Sequence, residues 1–101
     1  MFETFKNDDL VTVKLSTGEE LIGKVYNNSD DGLGVKNALV LMQGPQGVAL
    51  GTFFSTADPQ KPILLNKTLI ISVADVNPKL VEQYNNVFSK IKTQPKPNII
   101  V

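Results

Sequence analysis

Residues 11–25 read Val11-Thr-Val-Lys-Leu15-Ser-Thr-Gly18-Glu-Glu-Leu21-Ile-Gly23-Lys-Val25, and they decide the fold. Val11, Val13 and Leu15 alternate with Thr12, Lys14 and Ser16, the period of a half-buried strand. Thr17-Gly18 is a turn signal. Leu21, Gly23 and Val25 then share one face of a second strand, with Ile22, Lys24 and Tyr26 on the other. A glycine in mid-strand marks sharp bending or close backbone approach, so Gly23 predicts a strand that curls.

Working outward, residues 27–32 (Asn-Asn-Ser-Asp-Asp-Gly) form a loop of turn formers. Residues 33–42 predict a third strand, with Leu33, Val35, Asn37, Leu39 and Leu41 on one face. Gly44-Pro45-Gln46-Gly47 is a hairpin turn. Residues 48–54 predict a fourth strand, and the polar stretch 55–62, with two prolines, an exposed loop. Residues 68–76 predict a fifth; Ile63-Leu64-Leu65 either begins it or forms a short strand of its own. At Asn77-Pro78 the period changes. Asn is a strong N-cap and Pro suits the first helical position. Leu80, Val81, Tyr84, Val87, Phe88 and Ile91 then recur at helical spacing. Pro95 and Pro97 end the helix before an extended tail with apolar residues at 99–101, which is expected to pack on something.

The expectation is therefore one domain, mostly β. Residues 10–76 form a small, strongly bent five-stranded SH3-like barrel, residues 78–92 one C-terminal α-helix, and residues 93–101 a tail. The 101 residues suit a single core. An apolar share of 42% beside 20% charged residues excludes a disordered chain. The N-terminal residues lack a basic segment followed by an apolar one, so no signal peptide is expected. No apolar run reaches membrane length. Without cysteine there are no disulfides, compatible with a cytoplasmic location.

The same composition excludes most chemistry. With no His and no Cys there is no His general base, Cys nucleophile or Cys/His metal site. Glu19 and Glu20 are adjacent on a strand and point apart. No glycine pattern matches a phosphate-binding loop. No catalytic residues, metal, cofactor or small-molecule substrate are expected, and the chain reads as a non-enzyme. Ten Lys, no Arg and zero net charge temper any nucleic-acid role, because phosphate neutralisation drives such binding and Arg is its preferred bidentate partner.

The spacing of Leu15, Gly18 and Gly23, with Val11, Val13, Leu21 and Val25 at apolar positions, resembles the first signature of the Sm and Sm-like family. The resemblance covers residues 11 to about 42; beyond that it is one of strand order. It implies a barrel with two edge strands, self-association into a ring, and binding of single-stranded RNA at a pore or rim. It places an acidic residue at Asp30 in the loop, a base-holding Asn near Gly34 or Asn37, and a cation before the last strand at Lys67. The departures are clear. Gly34 stands where the family's Asn belongs, residues 65–68 lack the Arg-Gly pair, and the helix follows the strands instead of preceding them.

Each site residue also has a plain reading. Asp30 and Asp31 make a solvated turn. Asn37 is either a base contact or a buried Asn bonded to backbone. Lys67 is an exposed charge at a strand start. Phe53 and Phe54 offer a stacking platform or, more plainly, packing. Tyr84 and Phe88 read as contacts between helix and sheet. The alternative function is a structural or protein-interaction barrel with no nucleic-acid role.

Overall fold

The computed structural model describes residues 4–53, 56–58 and 61–93. Six strands, one short 3-10 turn and one helix follow in order: β1 (Leu10–Leu15), β2 (Glu20–Asn28), β3 (Gly32–Gly44), β4 (Gly47–Thr52), β5 (Ile63–Asn66), the 3-10 turn (Lys67–Leu69), β6 (Ile70–Asp75) and α1 (Pro78–Thr93). All pairings are antiparallel. The sheet order is β4-β3-β2-β1-β6, and β5 pairs with the first half of β3 while β4 pairs with the second. Among the described residues the sheet is not closed: β4 and β6 are its two ends.

Of the two alternatives for residues 63–65, the structure has the short separate strand, β5, and the expected fifth strand starts at Ile70 as β6. Asn66 caps the 3-10 turn, its Oδ1 accepting from the Thr68 backbone N–H at 3.0 Å. This break carries the chain from the edge of β3 to the edge of β1. The Leu69 carbonyl then accepts from Ser16 N–H at 2.7 Å, fastening the corner to the first hairpin. That hairpin forms as the sequence predicts: Gly18 sits at φ +102° and donates its N–H to the Leu15 carbonyl at 2.9 Å.

The expected single face of β3 is corrected. Leu33 and Val35 belong to one core cluster with Val11, Val13, Leu15, Leu21, Val25 and Leu65, whereas Leu39 joins a second with Ile22, Leu50 and Tyr84. The strand changes phase because Asn37, at φ +57°, lies in a β-bulge. Lys36 pairs with Lys24 and Leu39 with Ile22, so Asn37 and Ala38 together oppose Gly23. A Cβ on Gly23 would collide with the Val35 side chain and crowd the Lys36 carbonyl at 3.1 Å.

A second bulge mirrors the first. Val25 pairs with Val35 and Asn28 with Leu33, so Tyr26 and Asn27 oppose Gly34. Asn27 is left-handed at φ +66°, and a Cβ on Gly34 would run into the Tyr26 carbonyl. Asn tolerates this backbone region better than most residues. Two reciprocal bulges, each an Asn against a Gly, bend β2 and β3 together. The bend explains how Val11, Val13, Leu21, Val25, Leu33 and Val35 reach zero exposure. The sheet curls over them, while α1 covers the other cluster.

The helix begins as predicted. Asn77 Oδ1 accepts from Lys79 N–H at 3.0 Å, and the Asn77 carbonyl accepts from Leu80 N–H at 2.8 Å. Leu80, Val87 and Phe88 pack with Tyr84 on Ile22, Leu39 and Leu50, with the Tyr84 and Phe88 rings stacked 6.2 Å apart. No helix among the described residues is long and apolar enough to cross a membrane. The expected tail packing at residues 99–101 lies outside the described residues, as does Phe54.

Candidate nucleic-acid interface

Two of the three anticipated positions share one rim. The loop at residues 29–31 is closed by Ser29 N–H donating to the Gly32 carbonyl at 3.1 Å. Its neighbour is the corner between β5 and β6, because Gly32 pairs with Asn66 and the Asp31 carbonyl accepts from Lys67 N–H at 3.1 Å. Gly32 permits this approach, since a Cβ there would collide with the Leu65 carbonyl. Asp30, Asp31 and Lys67 are all exposed, so the rim presents carboxylates and an ammonium together. The Asn66 amide oxygen is committed to capping, accepting from both the backbone and the hydroxyl of Thr68 at 3.0 Å.

Asn37 is not on that rim. It lies in the β3 bulge, half-buried, and its main-chain carbonyl accepts the Tyr84 hydroxyl proton at 2.5 Å. Tyr84 is 1% exposed, and burial raises its phenol above the ordinary value. Gly34, where the family resemblance would place a base-holding Asn, is filled by the β2 bulge and has no room for a side chain. Phe53 packs against the first core cluster.

A second polar group was not anticipated. Lys24 and Lys36 face each other across β2 and β3. Lys36 Nζ lies 5.7 Å from the Tyr26 ring centroid and 2.8 Å from Asp8 Oδ1. The hydrogen bond from Lys36 holds the Asp8 carboxyl below its ordinary range, aided by the charges of Lys36 and then Lys24. Alternation had put Lys24 and Tyr26 on one face. Only the register shows that Lys36 joins them. Among the described residues, no three His, Cys, Asp or Glu side chains gather to hold a metal ion.

No protein-family model matches the chain, and no curated protein matches it either.

Proposed function

We propose that the chain is a divergent Sm-like subunit whose bent sheet acts as an open barrel, assembling edge to edge into a ring that binds single-stranded RNA. The observation that carries this reading is the pair of apolar edges, β4 and β6, each with a neighbour on one side only among the described residues. β6 reads Ile70-Ile-Ser-Val-Ala-Asp75, yet Ile71 is 63% exposed and only Ile70 and Val73 are half-buried. At the other end, β4 exposes Val48 and Ala49 beside Met42 of β3. A strand of this composition normally packs something. Two unlike edges on one subunit make a heterologous contact, which closes into a ring when the rotation allows.

The mixed rim of Asp30, Asp31 and Lys67 is the RNA contact in this reading, with Lys67 meeting a phosphate. A second reading, a protein-interaction module, is favoured by one observation: no residue between Lys36 and Asp58 is charged, and the β3–β4 hairpin tip within that run is exposed. Light scattering after size exclusion separates the two. The ring predicts a closed oligomer that Ile71→Lys reduces to protomers; a monomeric wild-type protein refutes it. Fluorescence anisotropy with labelled oligo-U then tests the RNA contact. Lys67→Glu is expected to weaken binding several-fold, and an unchanged affinity removes Lys67 from the site.

A further inference from the structure

The outward group on β2 and β3 carries features that ordinary surface packing leaves unexplained. Like charges directly opposite in a ladder destabilise it, yet Lys24 and Lys36 are such a pair. Beside them Tyr26 keeps 44% of its surface exposed, with the Lys36 ammonium over its ring. Repulsion between the two lysines is relieved by one residue from outside the strands. Asp8 reaches Lys36 from the N-terminal turn, and its backbone is left-handed at φ +74°, a conformation that costs a non-glycine residue energy.

That turn is fastened to β2. Asp8 N–H donates to the Val25 carbonyl at 2.8 Å, and Val25 N–H donates to the Asp9 carbonyl at 2.9 Å. Lys6 N–H donates to Asp9 Oδ2 at 2.9 Å, and Asn27 N–H donates to Asn7 Oδ1 at 2.8 Å. A strained, hydrogen-bonded turn thus holds one carboxylate on the Lys36 ammonium, with the Lys24 charge also acting on it.

We propose that Lys24, Lys36 and Tyr26 form a second contact for single-stranded RNA, separate from the Lys67 rim, in which Asp8 is an internal competitor that an RNA phosphate displaces. The proposal rests on the RNA-binding reading above and deepens it. The two lysines supply the phosphate's counter-charge. The exposed ring of Tyr26 supplies a surface on which any base can stack. The Asp8 side chain is exposed, so a competing anion exchanges with it through water, and salt screens the pair.

Anisotropy with fluorescein-labelled oligo-U, at low and physiological salt, tests this in the full chain. Asp8→Asn keeps a residue that tolerates the left-handed turn and removes the competing charge; it is expected to tighten binding several-fold. The Lys24→Gln/Lys36→Gln double variant is expected to weaken binding and to flatten the log–log salt slope by about 0.7, the value for one phosphate contact on a single strand. Tyr26→Ala is expected to weaken it roughly five- to hundredfold, the equivalent of one stacked base. Circular dichroism checks that each variant folds. If Asp8→Asn and the double variant bind as wild type does while Lys67→Glu binds less, the second contact is refuted and the rim stands. If neither wild type nor Asp8→Asn binds, both are refuted. Binding by Asp8→Asn alone supports the competitor role.

Discussion

Replacing Tyr84 by Phe removes one oxygen from the second core cluster and little else. The ring still stacks on Phe88 and packs against Ile22, Leu39 and Leu50. What is lost is the hydroxyl donor to the Asn37 carbonyl at 2.5 Å. An acceptor left buried without its partner costs about 1–3 kcal/mol, so a loss of about 2 kcal/mol is expected. For a domain of this size that lowers Tm by roughly 8–16 °C, taking about 4–8 °C per kcal/mol. Urea denaturation at fixed protomer concentration, repeated from pH 7 to 11.5, is the assay. The sign of its pH dependence follows from burial, which raises the Tyr84 phenol above 10.0. Wild-type stability from this residue is fully present below pH 10 and lost as pH rises through the folded-state value, at about 1.4 kcal/mol per unit. The gap between wild type and Tyr84→Phe is therefore expected to shrink above pH 10 and to close near about pH 11.5. Because the acceptor is main chain, Asn37→Gly is expected to leave the effect of Tyr84→Phe intact. A Tyr84→Phe loss below about 0.5 kcal/mol, or a gap that stays flat through pH 11, would refute the claim that the helix secures the β3 bulge through this bond.

Gly34→Ala places a methyl group against the Tyr26 carbonyl; overpacking of this kind costs about 1–3 kcal/mol, and a neutral result in urea melts means that the bulges relax freely. In acid, Asp8 contributes through Lys36, which lowers its carboxyl from 3.8. That contribution is present above pH 3.8 and lost as pH falls through the folded-state value, so thermal melts of wild type and Asp8→Asn are expected to converge below that point. A difference that persists at pH 2 assigns the effect to the turn's backbone instead.

The outer shape was legible because it depends on local periodicity. Alternation in residues 10–15, the Gly18 turn and the Asn77-Pro78 start each follow from a few consecutive residues, and each stands in the structure. The bulges were not legible in the same way. Reading Leu33, Val35, Asn37, Leu39 and Leu41 as one face assumes unbroken period two, and a single left-handed residue resets that count. Gly23 signalled a bend, but its partner Asn37 lay on another strand. The candidate rim was half legible. The Asp30-Asp31 loop reaches Lys67, through the Asp31 carbonyl, because β5 pairs with β3, a contact between residues more than thirty apart. Asn37 could not be separated from that rim without the same pairing. The Lys24–Lys36 pair was hidden for the same reason.

The reciprocal bulges also restrict how this gene can change. Deleting one residue from either strand would reverse the facing of every side chain beyond it. Such a lesion is repaired most simply by a matching deletion in the opposite strand, within the same few codons of the bulge. Insertions and deletions between residues 23 and 37 are therefore expected to survive in compensating pairs, and the spacing of Gly23, Asn27, Gly34 and Asn37 to be inherited as a unit.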